Sequence, residues 1–475
     1  MKPDFSRWWR EDDTLAKWLA RHVFERPDQL AIISGEQRLT WSQLQQRVLR
    51  AAQGLKEHRI GRGDVVAMQL PNIPEFVIAY LAGARLGAVL CTLHVPYRGA
   101  EIESILKHSG AKLFLNSAAA VNELEDSSAL ENHPEPGAAD TFLLLYTSGT
   151  TASPKGVPHP YRTMLSNARL GAPEHKLTAE DRILCPAPFS HLYGLYSLHC
   201  AWAVGACTVL LPAFKPQDLA SIVEAQKPTA LWTAPAHVAA CRAAGLFDKH
   251  DWSSLKLAIV SGSIAPPDLV KDFAAKLPRC AVTQLWGMTE LQAGLYTRPG
   301  DPLAVSATTA GRPSPGCEAR LSEEGEIQVR GCLLFSGYLD NEEANREAFT
   351  ADGWFRSGDL GELRAGGNIA ITGRIKDIIN RGGVKFNPAD VEKLLDAHPK
   401  IMQSAIVPMP DPVLGEKACL FITVKGDSAP TLPELCDYLL GKNIAKNKLP
   451  EKLVVIAEMP LTPTRKIIKG RLRVS

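Results

Sequence analysis

The 475-residue sequence predicts an α/β fold in two parts: a large N-terminal domain of helix-flanked sheets with a β subdomain, then a small α+β C-terminal domain. Three observations predict it. Helix and strand patterns alternate from Leu39 to Leu115 and resume in "LYSLHCAWAVGACTVLL" and "PTALWTAPAHVAAC", the rhythm of a parallel sheet covered by helices. Between Gly311 and Gly373 the texture changes to short strands with Gly-rich turns. After Arg374 a compact alternation of helix and strand fills about the length of a separate small domain.

In chain order, "WSQLQQRVLRAAQGLKEH" spaces its apolar residues along one helical face, "DVVAMQL" reads as a buried strand and "PEFVIAYLAGARLGAV" returns to helix. The polar, Pro-containing stretch 122–139 reads as a surface connection. "GEIQVRG", "DGWFRSGDLGEL" and "GNIAITGR" supply strands of the β subdomain. "NPADVEKLLDAH", "SAIVPMP", "ACLFITV", "TLPELCDYLLGK" and "KLVVIAEM" build the last part, with the boundary near Lys376 and domains 1–375 and 376–475.

Lysine plus arginine exceed aspartate plus glutamate by 53 − 51 = 2, too even a balance to indicate a nucleic-acid or membrane-surface partner. No apolar stretch has the length of a membrane span, so membrane insertion is not expected. Ten scattered cysteines with no C-x-x-C pair suggest neither a disulfide framework nor a zinc site, and the expected location is the cytoplasm.

The loop in "LLLYTSGTTASPKGV" is dense in hydroxyls. Thr147, Ser148, Thr150 and Thr151 offer donors, Gly149 frees the backbone and Lys155 adds a charge, a set that suits phosphate oxygens. The familiar G-x-x-x-x-G-K-[ST] loop does not fit, because Gly156 follows the lysine, and a plain surface turn is the alternative. In "QLWGMTEL", Gly287 places Thr289 and Glu290 on a turn, where a hydroxyl suits phosphate and a carboxylate suits magnesium; two helix-capping residues would look the same. Asp359, after Gly358, could accept two ribose hydroxyls or close an Asx turn. Arg374 is a planar fork for phosphate or hydroxyls, or a surface charge. His191 in "PFSHLYGL" reads as a core histidine or a functional one, and Lys466 in "LTPTRKIIKGRLR" as a reactive cation or part of a basic tail. Together these are the parts required for chemistry at an ATP phosphate.

With these motifs the sequence resembles the adenylate-forming superfamily: acyl-CoA synthetases, adenylation domains of peptide synthetases and firefly-type luciferases. The motifs carrying the resemblance are "LTWSQLQQRVLRAAQGL", "YTSGTTASPKGV", "FSHLYGL", "LWGMTE", "GWFRSGDL", "GRIKDIINRGG" and "PTRKIIKGRL", in that order over nearly the whole chain. The resemblance implies the adenylate-forming enzyme fold with a mobile C-terminal domain. It also implies two half-reactions: a carboxylate and ATP give acyl-AMP and pyrophosphate, then a thiol takes the acyl group. By resemblance Thr147 to Lys155 cradle the β- and γ-phosphates, Thr289 meets the α-phosphate, Glu290 holds Mg2+, and Trp286, beside Gly287, stacks near adenine. Asp359 and Arg374 hold the ribose, Lys466 bridges the carboxylate and α-phosphate, Lys376 is the hinge, and Gly382 and Gly383 line the thiol channel. His191 stands near the carboxylate entrance. Tyr193, Ser261, Gly262 and Met288 lie in the stretches expected to wall the acid pocket.

Three positions depart from the family pattern: Ala152 and Arg465 where glycine is usual, and Trp286 where tyrosine is usual. Arg465 is the more consequential, since a positive φ before Lys466 would be strained in a non-glycine residue. Ser190 stands where amino-acid-activating domains carry aspartate, which argues against an amino-acid substrate. The nearly uncharged pocket stretches favour an apolar acid, whether aliphatic, alicyclic or aromatic. Coenzyme A is the expected acceptor, and an acyl carrier protein supplied in trans is the alternative. Luciferase-like oxidation and non-catalytic nucleotide binding are the remaining classes.

Overall fold

A computed structural model of the chain describes residues 4–147, 155–426, 428–462 and 465–474. The chain divides into two compact units, Met1–Ala319 with Val329–Phe355, and Arg320–Gln328 with Arg356–Ser475. Among the described residues no helix is long and apolar enough to cross a membrane.

The first unit holds two helix-flanked sheets, in keeping with the alternation of helix and strand in the sequence. In the larger, the strands run in the order Arg312–Pro313, Gln292–Tyr296, Ala281–Met288, Leu257–Val260, Ala230–Thr233, Arg182–Leu184, Cys207–Val209, Leu30–Ser34 and Gln37–Thr40. Its centre, from Ala281–Met288 to Leu30–Ser34, is parallel, and antiparallel pairs close both edges. The smaller sheet orders Leu113–Leu115, Val65–Met68, Val89–Thr92, Thr141–Tyr146 and Gly156–Pro160, and only the last pair is antiparallel. Parallel strands need long crossovers, which the helical segments provide, whereas Leu30–Ser34 and Gln37–Thr40, and likewise Ala281–Met288 and Gln292–Tyr296, are antiparallel pairs joined by short turns.

Helices follow the chemistry of their ends and faces. Trp41–Glu57 opens on a capping box between Thr40 and Gln43 and buries Leu44, Val48, Ala51, Ala52 and Leu55, one apolar stripe at helical spacing. Pro74–Leu86 and Leu192–Val204 are apolar nearly all round and run through the core, ended by Gly87 at φ 72° and Gly205 at φ 80°. The stretch 122–139 is largely exposed, in keeping with the expected surface connection, but it begins inside the helix Ala118–Leu124 and buries Leu124, Leu130 and Ala138. Its apolar residues are too sparse to show a period, so their burial is a tertiary effect.

The second unit contains most of a four-stranded sheet, in the order Cys317–Leu321, Glu326–Gly331, Phe355–Leu363, Ile369–Arg374, and a five-stranded sheet built around Gly415–Val424. Helices Ala389–Leu395 and Leu432–Gly441 pack Val391, Leu395, Leu435 and Leu439 against Ile406, Leu420 and Ile422 of the five-stranded sheet. Each fully buried leucine there stabilises the unit by about 1.5–3 kcal/mol before entropy is counted.

Candidate active site

Adjacent parallel strands end on the same edge, so the residues after Leu184, Thr233, Val260 and Met288 share one rim of the larger sheet. Open α/β sheets bind ligands at that carboxyl edge. His191, Ser261, Gly262, Met288, Thr289 and Glu290 all lie along it. Tyr193 is buried, and its hydroxyl points at two main-chain carbonyls, Ile259 O at 2.7 Å and Thr233 O at 3.1 Å, pinning two strand ends together. Ser261 is buried at the strand end, and Gly262 takes φ 95°, a backbone state that favours glycine.

The loop leading to His191 is anchored by buried Asn72, whose side chain donates to Ala187 O at 2.9 Å and accepts from Phe189 N at 2.8 Å. His191 caps the following helix, its Nδ1 accepting from Tyr193 N at 3.1 Å, which leaves the proton on Nε2. Its ring stacks at 6.2 Å on His94, and His94 Nδ1 shares a hydrogen bond of 2.9 Å with Ser190 Oγ. Burial pushes His94 down to about 4, so it stays neutral at physiological pH.

Thr289 and Glu290 sit on the tight turn joining Ala281–Met288 to Gln292–Tyr296, not at a helix start, which removes the capping alternative. The turn dictates Gly287: a Cβ there would overlap the Gln292 carbonyl oxygen. Gln292 itself takes φ 69° and is buried, held by its amide donating to Thr163 O at 2.9 Å. His159 Nε2–H donates to Thr289 O at 2.8 Å, and burial pushes His159 down to about 4. Phe335 N donates to Glu290 O at 2.8 Å, while the Tyr338 hydroxyl donates to Glu290 Oε1 at 2.9 Å. Trp286 is buried against Gly294, whose would-be Cβ lies 3.2 Å from its ring.

The hydroxyl-rich loop springs from a β-hairpin. Tyr146 faces Gly156, and Thr147 N donates to Lys155 O at 3.1 Å, so the loop's two ends are clamped together. Lys155 Nζ lies 4.7 Å from the centre of the Tyr338 ring. Ser148, Gly149, Thr150 and Thr151 lie outside the described residues, as does Ala152.

In the second unit Asp359 lies within the strand Phe355–Leu363 rather than on a free turn, since Gly358 at φ 72° kinks the strand without ending it. It faces Arg374 on the next strand, whose Nε–H it accepts at 2.7 Å. Lys376 is exposed in the single 3-10 turn Ile375–Asp377. Gly382 and Gly383, at φ 60° and 86°, form a two-residue hairpin turn between Arg381 and Val384. Thr462 and Lys466 are tied by Thr462 N to Lys466 O at 2.7 Å and Lys466 N to Thr462 Oγ1 at 2.9 Å. Arg465 takes φ 62°, the left-handed region that strains a non-glycine residue. Burial, and then the Arg374 guanidinium, push the Lys466 ammonium down to about 8; Asp359 and Asp377 oppose the shift and Lys376 adds to it. Lys466, Asp359, Arg374 and the turn Ile375–Asp377 are therefore electrostatic neighbours.

The first unit thus brings Lys155, Thr289 and Glu290 together, and the second brings Lys466, Asp359, Arg374 and Lys376 together. His159, Gln292, Tyr338 and Asn345 support the first group and were not visible in the sequence. Asn345 donates to Tyr338 O at 3.0 Å and accepts from Tyr338 N at 2.6 Å. Only the "GY" of "SGYLD", a glycine beside an aromatic between two strands, hints at a fixed tyrosine.

Magnesium usually takes one or two protein carboxylates and completes its shell with phosphates and water. Among the described residues there is no cluster of three His, Cys, Asp or Glu side chains, and Glu290, oriented through both its carboxylate and its main chain, fits the single-carboxylate pattern.

The family model described as "AMP-binding enzyme" matches residues 19–339, and "AMP-binding enzyme C-terminal domain" matches 390–466. A medium-chain fatty-acid–CoA ligase of Escherichia coli is 29% identical over 97% of this chain and 90% of its own. The salicyl-AMP ligase / salicyl-S-ArCP synthetase of Mycobacterium tuberculosis is 32% identical over 93% of this chain and 87% of its own. Among solved structures, the o-succinylbenzoate coenzyme A synthetase of Bacillus subtilis in complex with ATP and magnesium ion superposes with a TM-score of 0.84 at 26% identity, covering 96% of this chain and 98% of that one.

Proposed function

Because the chain belongs to the AMP-binding enzyme family and is an AMP-forming acid–thiol ligase, we propose that it joins a mostly apolar carboxylic acid to AMP and then passes the acyl group to the thiol of coenzyme A. The carboxylate oxygen attacks the α-phosphorus of ATP and pyrophosphate leaves. In the second step the thiol sulfur attacks the acyl carbonyl and AMP leaves.

The observation that most supports this is Lys466 gathered with Asp359 and Arg374, a cation beside a carboxylate and a fork suited to a ribose. In the proposal Asp359 accepts from the ribose hydroxyls, with Arg374 holding its carboxylate. Lys466 stabilises the charge that grows between the acid and the α-phosphate, and a preorganised cation of this kind supplies about 3 to 4 kcal/mol. Thr289 donates to the α-phosphate, Lys155 and the loop from Thr147 hold the outer phosphates, and Trp286 flanks the adenine. Glu290 holds Mg2+, which when bound neutralises charge on the phosphates. His191, with its proton on Nε2, faces the carboxylate entrance, and Tyr193, Ser261, Gly262 and Met288 frame the acid pocket. Residues 376–475 turn about Lys376 as a mobile domain, withdrawing Lys466 and presenting Gly382 and Gly383 to the thiol. A reducing, cytoplasmic setting is part of the reading: the ten cysteines are free thiols, eight of them buried.

A second reading keeps the chemistry and replaces coenzyme A with the phosphopantetheine of an acyl carrier protein. The salicyl ligase at 32% identity favours it. Purified protein incubated with ATP, magnesium, coenzyme A and a panel of linear, alicyclic and aromatic acids, read by mass spectrometry, separates the two. A CoA thioester supports the first reading and names the acid class. Acyl-AMP with no thioester supports the second, and neither product from any acid counts against both.

A further inference from the structure

The segment from Phe335 to Leu339 is stitched to both phosphate-handling groups of the first unit. Phe335 N donates to Glu290 O, Leu339 N donates to Gly156 O at 2.9 Å, and between them Tyr338 reaches both ways: hydroxyl to Glu290 Oε1 at 2.9 Å, ring to Lys155 Nζ at 4.7 Å. Tyr338 is itself immobilised. Asn345 grips its main chain on both sides, and Gly337 at φ 148° packs so closely on Asn345 that a Cβ would lie 2.9 Å from its side-chain oxygen.

We propose that Tyr338 is a positioning residue that sets the metal-facing carboxylate of Glu290 and the phosphate-facing ammonium of Lys155 from one rigid ring. The inference rests on the functional reading above, since it assigns Glu290 to magnesium and Lys155 to phosphate. A carboxylate that ligates a metal needs a donor to fix its orientation, and the Tyr338 hydroxyl is such a donor. The ring face gives the ammonium a site of negative potential at the clamped base of the loop. One side chain therefore couples the spacing of the two charges to each other, which two independent supports would not do.

The test is a Mn2+ titration of the full chain in the presence of a non-hydrolysable ATP analogue, with free Mn2+ read by electron paramagnetic resonance. Tyr338→Phe keeps the ring and removes only the donor. We expect its Mn2+ dissociation constant to rise about tenfold, the usual effect of losing the partner of a metal ligand, with metal-free affinity for the analogue unchanged. Tyr338→Leu removes the ring as well and should weaken metal-free analogue binding by about threefold, the size of a lost cation–π contact. Tyr338→Phe with wild-type Mn2+ affinity overturns the inference, including the case where the variant merely melts at a lower temperature. Wild-type protein that retains no Mn2+ with the analogue overturns this inference and the functional reading together, whereas a wild-type site that binds while the Phe variant matches it overturns this inference alone.

Discussion

The Asp359 carboxylate accepts the Arg374 Nε–H at 2.7 Å from directly opposed positions on two antiparallel strands. Asp359 is 6% exposed, so its alignment with the arginine is set by the strand register and not by chance contact at the surface. Cross-strand neighbours hold such pairs at short range.

Arg374→Lys should therefore fail as a conservative change. A lysine keeps the charge but presents no planar fork, so the Asp359 carboxylate loses its fixed orientation. The expected outcome is a rise of about tenfold in KM for ATP, equivalent to ~1.4 kcal/mol, with the melting temperature little changed. A wild-type KM for ATP in steady-state pyrophosphate release would refute the assignment.

Lys466→Ala should separate the two half-reactions. Acid-dependent pyrophosphate release is expected to fall by about 10²- to 10³-fold, the loss seen when a preorganised transition-state donor is removed. Thioester formation from supplied acyl-AMP should proceed at the wild-type rate. Equal loss in both steps would show that Lys466 does not belong to adenylation alone.

The depressed Lys466 ammonium gives the first step a pH dependence of definite sign. With the group near 8 instead of the ordinary 10.5, it is charged below about pH 8 and neutral above. Adenylation kcat/KM should therefore be full below that value and fall as pH rises through it, and Lys466→Arg should flatten the fall because an arginine keeps its proton. A wild-type profile flat to pH 10 would count against a functional role for the ammonium.

Arg465 at φ 62° tests the cost of a non-glycine residue before that lysine. Arg465→Gly should leave stability unchanged or raise it by up to about 1 kcal/mol, since the relief of left-handed strain is partly offset by the flexibility of glycine in the unfolded chain. Arg465→Val should lower it by about 1–2 kcal/mol, because a β-branched residue is poorly accommodated there. Urea unfolding of the three proteins orders them.

Gly287→Ala should be severe. Its methyl would meet the main-chain carbonyl of Gln292, which cannot swing aside as a side chain could, so the turn carrying Thr289 and Glu290 must open. We expect about 3 kcal/mol of destabilisation and loss of pyrophosphate release; a soluble, fully active variant would show that the turn geometry is not required.

What the sequence by itself determined was the order of local chemistry. The apolar stripe of Trp41–Glu57, the mostly apolar helices Pro74–Leu86 and Leu192–Val204 and the turn of Thr289 and Glu290 all depend on neighbours within a few residues, where period and backbone freedom are legible. The family followed from motifs whose spacing survives in the chain, and the departure of Arg465 from glycine marked the position where a positive φ would bring strain. Tertiary structure alone decided the rest. That parallel strands end on one rim, that Asp359 sits in register with Arg374, that the apolar residues of 122–139 are buried, and that Tyr338 meets both Glu290 and Lys155 are long-range facts. Contacts such as Tyr338 to Glu290, 48 residues apart, leave no periodic trace in a single sequence, because the energy that selects them is burial and hydrogen bonding available only once the sheets have assembled.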